Sequence, residues 1–345
     1  MKVWIDLANS PHALMFAPVA RGLAERGAEV LVTARDNAQT VALARERWPD
    51  AVVIGEPSPP GRARKALAVA GRAAALARWA ARRRPDVVLC HNSHAQVVAA
   101  RGLRIPVVTG SDFEHQPANN LAFRLARTIL APEVVPGEAL RRQGATPRKL
   151  RRYPGLKEEL YLGEFEPDPG LPERLGAPAG EGRVVVVART PPSRAVYHPF
   201  DNPLFEAALR ELGRREDVTA IVLARYPEQR DALAALGLPN LIVPRDAVDS
   251  RALMHAADAV LGAGGTMTRE AALLGVPTWS LYAGAVPAVD RWLEREGLLR
   301  RLEAAEELRE LGPRTAPARP PAELRARGRA IEDAFVSAVL EAGGG

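Results

Sequence analysis

Cysteine is nearly missing from this chain: Cys90 stands alone among 345 residues. One thiol closes no intramolecular disulfide and builds no cysteine-rich zinc site, which favours a reducing compartment. Lysine is scarce too. Only four of the 47 basic residues are Lys and the other 43 are Arg, a bias that a GC-rich genome produces as readily as phosphate binding does. Aromatics make up 5%, few for the base-stacking platforms of single-strand nucleic-acid proteins. No apolar run reaches the roughly 18 uncharged residues of a membrane span. The opening MKVWIDLANSPH sets Asp6 inside what would be an apolar export stretch, so no signal peptide is expected and the cytoplasm is the expected compartment.

What is present describes a globular protein. Hydrophobic residues make up 47% and charged residues 26%, which excludes wholesale disorder and collagen-like structure. Short β-branched runs recur, each followed by an Ala/Leu-rich helical pattern. The first half has KVWIDL, AEVLVTA, AVVIG, DVVLCH and IPVVTG, with helices expected near 13–26, 37–48, 62–83, 94–102 and 118–127. The second half restarts with RVVVVAR and continues through VTAIVLA, NLIVP, DAVLGA and VPTWSL. Its helices are expected near 202–215, 227–236, 249–256, 266–274 and 285–296. Apolar strands alternating with helices predict parallel sheets covered on both faces. A Pro- and Gly-rich stretch at 154–182 divides two such series, so the prediction is α/β: two doubly wound, Rossmann-type domains. The boundaries expected are 1–155 and 156–321, with a final helix near 322–342 crossing back to complete the first domain.

Ligands of such sheets bind beyond the C-terminal strand ends, and two such edges can face each other across a cleft. The strongest local signal there is GAGGTMTREAALLGVPTWSLYAG, residues 262–284. It follows an apolar strand and opens a helix, so Gly264 and Gly265 sit where a backbone can approach a diphosphate at a helix N-terminus. Thr266 and Thr268 can cap that helix or donate hydroxyls, Met267 lies between them, and Glu270, one turn in, can accept from both ribose hydroxyls. The bland alternative is a tight turn with a capped helix.

From this segment onward the chain resembles GT-B enzymes. The Gly-Gly turn, Glu270 and AALLGVPT are similar to the nucleotide-binding segment of the bacterial peptidoglycan N-acetylglucosaminyltransferase and of the non-hydrolysing UDP-N-acetylglucosamine 2-epimerases. Together with DLANSPHALMFAPVARGLAERGAEVLVTARD and YPGLKEELYL, the likeness is to an uncharacterised GT-B-like family of archaea and bacteria known as a domain of unknown function. It spans nearly the whole chain and speaks to fold more than to reaction. It implies two domains facing across a cleft, a nucleotide sugar as substrate with UDP the favoured carrier, and no separate cofactor.

Residue by residue, the resemblance implies roles for several strand-end loops. In the glycosyltransferases the first loop carries a His near the cleft, which His12 matches in Asn9-Ser10-Pro11-His12. A His at a helix N-terminus stays neutral and fit to accept a proton, although packing against the turn is the plain alternative. TGSDFEHQPANN concentrates Asp112 and Glu114, one of which matches a catalytic carboxylate of the epimerases; a solvated loop with Asn119 as helix cap is the alternative. Two positions depart from the epimerases. After the fourth strand, His91-Asn92-Ser93-His94 stands where they place an Asp, and Arg189-Thr190 stands where they place a catalytic His. Arg189 and Arg194 can meet the diphosphate as bidentate forks, with Tyr197 and His198 nearby. Arg225 is a weaker candidate for the diphosphate, with a surface Arg the plain reading, while Tyr282, Asp290 and Arg291 are candidates for contact with sugar or acceptor, with a structural helix as the alternative. His91 and His94 lack partners at metal spacing, so no metal is expected.

The basic segment 62–84 carries eight cations and no acid. A solvated domain helix is the first reading, a peripheral contact with an anionic membrane face or polyprenyl-linked acceptor the second, and nucleic acid the least favoured. The function expected is a nucleotide-sugar-dependent glycosyltransferase acting on a lipid-linked or cell-envelope acceptor, as in polysaccharide biosynthesis. In that reading His12 is the base, Asp112 and Glu114 orient or act as acid/base groups, and Asn9, Ser10, Thr190 and Tyr282 contact substrate. Inversion by direct displacement is its simplest mechanism. The alternatives are a UDP-sugar 2-epimerase-like enzyme and a non-catalytic nucleotide- or polyanion-binding protein. The sequence does not specify an oligomeric state.

Overall fold

Among the residues described, thirteen strands form two all-parallel sheets in a computed structural model of the chain. The described residues are all of 1–345 except 38, 58–61, 179, 192–201, 247 and 345. The chain divides into two compact units, 1–161 with 326–345, and 162–325.

The first unit holds a seven-stranded sheet. In chain order its elements are β1 (Lys2–Leu7), α1 (Pro11–Glu25), β2 (Glu29–Ala34), α2 (Thr40–Arg47), β3 (Val52–Val53), α3 (Arg62–Arg83) and β4 (Val87–His91). They continue with α4 (His94–Gly102), β5 (Val107–Gly110), α5 (Asn119–Leu125), β6 (Thr128–Pro132), α6 (Gly137–Arg142), β7 (Leu150–Tyr153) and the short turn α7 (Glu159–Leu162). The strand order is β3-β2-β1-β4-β5-β6-β7, which reverses direction between β1 and β4, the switch point where doubly wound sheets open a crevice. Strands β1 and β4 are apolar and almost wholly buried because helices cover both faces. Strands β6 and β7 and helix α6 go beyond the sequence expectation.

Helix α3 occupies the expected 62–83, because an Ala-rich run with one Gly and no Pro offers nothing to stop it. Its Leu76 and Ala80 are buried, whereas Arg64, Lys65, Arg78, Arg82 and Arg83 are exposed and Leu67 is 75% exposed. Among the described residues no helix is long and apolar enough to cross a membrane.

The second unit holds α8 (Leu171–Arg174), β8 (Val184–Arg189), α9 (Pro203–Gly213), β9 (Val218–Leu223), α10 (Pro227–Ala235) and β10 (Leu241–Ile242). After these come α11 (Ser250–Ala256), β11 (Ala259–Gly262), α12 (Thr266–Leu273), β12 (Thr278–Ser280), α13 (Ala288–Arg295) and β13 (Arg300–Arg301). Its order, β10-β9-β8-β11-β12-β13, repeats the reversal between β8 and β11. Val184, Val186, Phe205, Leu209, Val222 and Leu261 are among the core residues between this sheet and its helices. The last helix, α14 (Pro321–Gly343), begins in the second unit and runs into the first, where Phe335 packs on Tyr153 with ring centroids 5.4 Å apart.

Candidate functional site

At the C-terminal ends of β1, β4 and β5 the first unit gathers a buried set of ionisable side chains. His12, the second residue of α1, is 4% exposed. Its Nδ1 accepts the Ala8 backbone N–H at 3.2 Å, across the turn that leaves β1. Its ring meets that of His91 edge to face, with centroids 5.6 Å apart. His91 closes β4, and its Nε2 lies 3.3 Å from Asp112 Oδ1. The other Asp112 oxygen accepts from Lys157 Nζ at 2.6 Å, and Lys157 also pairs with Glu158. Gly110 makes room for this: a Cβ there would stand 2.8 Å from His91 Cδ2.

Neighbouring groups hold the cluster in place. Glu114 is buried, with Oε1 3.5 Å from His115 Nε2. The Asn119 side chain does not cap α5, whose cap is Ala118; its amide donates to Ser111, to the Phe113 carbonyl and to Gln143. Asn9 and Ser10 are tied to the segment after β2. Asn37 donates to Asn9 Oδ1 at 3.1 Å, and the Gln39 N–H donates to Ser10 Oγ at 3.2 Å. Beneath them Asp6, wholly buried, takes both Arg72 guanidinium nitrogens at 2.9 and 2.8 Å, the Thr33 hydroxyl at 2.6 Å and the Ser93 hydroxyl.

Burial, aided by His91 and Lys157, holds the His12 pKa well below its usual 6.5, and burial likewise lowers His94. A folded-state pKa below the unfolded one means that the unfolded chain binds the extra proton as pH falls through 6.5. The stability these rings confer is complete above that value and drains below it. Urea titrations should lose up to about 1.4 kcal/mol per pH unit for each such ring between pH 6.5 and 5. In His12→Asn the slope should flatten by one proton; an unchanged slope would mean that His12 titrates alike in both states.

The second unit places its own set at the ends of β8, β9 and β11. Gly264 and Gly265 both lie in the left-handed region, at φ 79° and 86°. A Cβ on Gly264 would fall 2.9 Å from the Tyr282 ring, so that position needs glycine twice over. The expected threonine cap is corrected: Gly265 is the N-cap, Thr266 and Met267 follow half-buried, and Thr268 turns inward onto Gly262. Glu270, one turn in, is buried.

Arg189 ends β8, largely buried, donating to the carbonyls of Leu223 and Ala224. Burial and the Arg225 cation push its pKa down to about 10, against the pull of Glu270. Thr190 donates to Gln229 Oε1 at 2.7 Å, and Arg225 Nε donates to the Thr190 carbonyl at 2.9 Å. Asp290 is occupied by a buried pair with Arg269 at 2.7 Å, and Arg291 donates to the Val286 carbonyl, so these two serve the fold of α13. Arg194, Tyr197 and His198 lie outside the described residues. No cluster with metal-binding geometry occurs among the described residues. The structure thus joins His12, Asp112 and Glu114 in one unit and Arg189, Thr190, Gly264, Gly265, Glu270 and Tyr282 in the other. Lys157, Glu158, Asp6 and Arg72 were not anticipated. For Lys157 and Glu158 the signal was a charged Lys-Glu-Glu inside the otherwise apolar YPGLKEELYL.

The family described as "Protein of unknown function (DUF354)" matches residues 1–315. An uncharacterised protein of Methanocaldococcus jannaschii is 28% identical over 299 residues, 85% of each chain. Among solved structures, the UDP-GlcNAc 2-epimerase of Neisseria meningitidis bound to UDP-GlcNAc aligns with TM-score 0.71 at 15% identity, covering 98% of this chain and 100% of that one. The glycotransferase of kitacinnamycin aligns with TM-score 0.63 at 17% identity, covering 99% and 98%. At such identities the likeness is one of fold, and it is the GT-B fold.

Proposed function

This chain belongs to the DUF354 family, and we propose that it is a nucleotide-sugar-dependent glycosyltransferase of GT-B type with UDP as the favoured carrier. The observation that carries the reading is the β11–α12 turn. There two left-handed glycines lead into a helix whose N-cap, Gly265, has no side chain, with Glu270 one turn in and its charge felt at Arg189. Backbone N–H groups and a desolvated guanidinium suit a diphosphate, and a carboxylate suits ribose hydroxyls. Structural neighbours that are epimerases or glycosyltransferases, one bound to UDP-GlcNAc, add support.

In this reading an acceptor oxygen attacks the anomeric carbon while the bond to the diphosphate breaks, with inversion. The electron pair leaves on the phosphate oxygen, its charge countered by Arg189 and the helix terminus rather than by a metal ion. The proton passes to the buried set of the first unit.

Transfer is preferred to 2-epimerisation because His91 closes β4 where the epimerases carry a carboxylate. Beyond β8, where they carry a His, Arg189 is followed by Thr190, whose hydroxyl is committed to Gln229. The buried Asp112 and Glu114 favour the epimerase as second reading. UDP-N-acetylglucosamine alone, followed by proton NMR of the anomeric signals, separates the two. The expected spectrum does not change, while UDP at a hundred times its dissociation constant stabilises the chain by about 2.7 kcal/mol. Interconversion at C2 without acceptor would establish the epimerase. Absence of stabilisation by every nucleoside diphosphate tried would remove both.

A further inference from the structure

We propose that Nδ1 of His91 is the proton-accepting atom of the first unit's cluster, and that His12 is a neutral hydrogen-bond donor through its Nε2–H. The inference rests on the transfer reading for its reaction, and it reassigns the base from the histidine that the family resemblance points to.

The geometry around each ring decides which nitrogen carries the proton. A backbone N–H can only donate, so the Ala8 amide, 3.2 Å from His12 Nδ1, occupies that nitrogen's lone pair and leaves the proton on Nε2. His12 therefore has no free basic nitrogen. Its burial beside His91 and Lys157, which holds it neutral, agrees with that assignment.

His91 is built the other way round. Its Nε2 lies 3.3 Å from Asp112 Oδ1 without completing a hydrogen bond, a separation at which the carboxylate favours a proton on that nitrogen. Its Nδ1 lies 3.4 Å from the side-chain amide nitrogen of Asn92, which is a donor. Both neighbours favour the tautomer with the lone pair on Nδ1, and the half-buried Asn92 side chain, unlike the Ala8 backbone amide, can turn away to free that lone pair. Asn92 takes a left-handed φ of 56°, a conformation Asn tolerates better than most residues and one that recurs at functional sites.

The groups facing His91 are His12 from α1, His94 from α4, Asp112 after β5 and, through Asp112, Lys157. Lys157 clamps the second Asp112 oxygen, so the carboxylate that steadies His91 is itself held. In transfer, the acceptor O–H proton moves to His91 Nδ1 as the oxygen bonds the anomeric carbon. The electron pair of the broken C–O bond goes to the departing UDP, and the imidazolium formed faces Asp112. This is the carboxylate–imidazole arrangement of general-base sites, with Asp112 and Lys157 as positioning residues.

The test uses the full chain labelled with 15N in its histidines, with His12→Gln and His91→Gln assigning two of the rings in long-range 1H–15N spectra at pH 7.5. The His12 ring should be neutral with its proton on Nε2, and the His91 ring should carry a proton on Nε2. A His12 ring protonated at Nδ1 or doubly protonated, or a His91 ring protonated at Nδ1 alone, would overturn the proposal. This outcome does not depend on finding transfer, so it can fail separately from the transferase reading. In the transfer assay His91→Ala should lose about 100-fold or more, and added imidazole should restore part of that loss. His12→Ala should gain nothing from imidazole, and the reverse pattern would return the base to His12.

Discussion

Replacing Arg72 with Met should lower the stability of the first unit by about 3–5 kcal/mol, the usual cost of removing one partner from a buried ion pair. The carboxylate left behind, Asp6, has no exposed surface. Arg72 supplies two of its hydrogen bonds, and the Thr33 and Ser93 hydroxyls supply the rest. Two hydroxyls cannot replace a guanidinium around a desolvated charge. Arg72 is also built in at its base, where Nε donates to the Ile54 carbonyl at 2.8 Å and the side chain fills the space beside Gly55.

Urea unfolding followed by tryptophan emission reads the effect, since Trp4 is hydrogen-bonded to Thr33 and packs on Trp79 beside the pair. The double variant Asp6→Leu with Arg72→Met should be milder than Arg72→Met alone, because it removes both charges. A single-variant loss under about 1 kcal/mol, the range of exposed pairs, would mean that water reaches Asp6.

Glu270→Gln should weaken UDP binding about ten- to hundredfold. Hydrogen bonds to a charged group contribute about 1.5–3 kcal/mol, and 1.4 kcal/mol is a factor of ten. Glutamine keeps the length and removes the charge that two ribose hydroxyls would address. The substitution also removes the anion that counters the largely buried Arg189, so the diphosphate end is expected to feel it as well. Titration calorimetry with UDP measures the change, and unfolding without ligand verifies that the fold persists. Affinity within twofold of the parent chain would take the ribose away from Glu270 and, with it, the main support for the turn as a nucleotide site.

The architecture was legible because helix and strand periods are written plainly in Ala/Leu and Val/Ile runs, and α3 has no internal breaker. What escaped were β6, β7 and β13. TILAP carries a Pro, LRRY two Arg, and β13 is only Arg300–Arg301, so none has the apolar continuity by which a covered strand is read. Register with β5, β6 and β12 makes them strands, and pairing across that much sequence leaves no local mark.

The site divides in the same way. Asp112 and Glu114 stood out by density at a strand end, and Gly264 with Gly265 by their place between strand and helix. Lys157 and Glu158 entered only within YPGLKEELYL, through its likeness to the family; their enclosure, 6% and 0% exposed, marks them as part of a cluster. Asp6 drew notice only as an interruption of an apolar stretch, since its partner Arg72 is 66 residues away.

The route of α14 bears on how the molecule is made. The first unit's sheet is synthesised early, but the helix segment from 326 that packs on Tyr153 is supplied only after 162–325 has been translated. At the usual pace of synthesis that interval is on the order of ten to thirty seconds. Throughout it the nascent first half carries an uncovered apolar seam awaiting Ile331, Phe335 and Val339, all buried in the finished fold. The later half can fold meanwhile, so the early-made half is the last to mature, and ribosome-associated chaperones would find their target there.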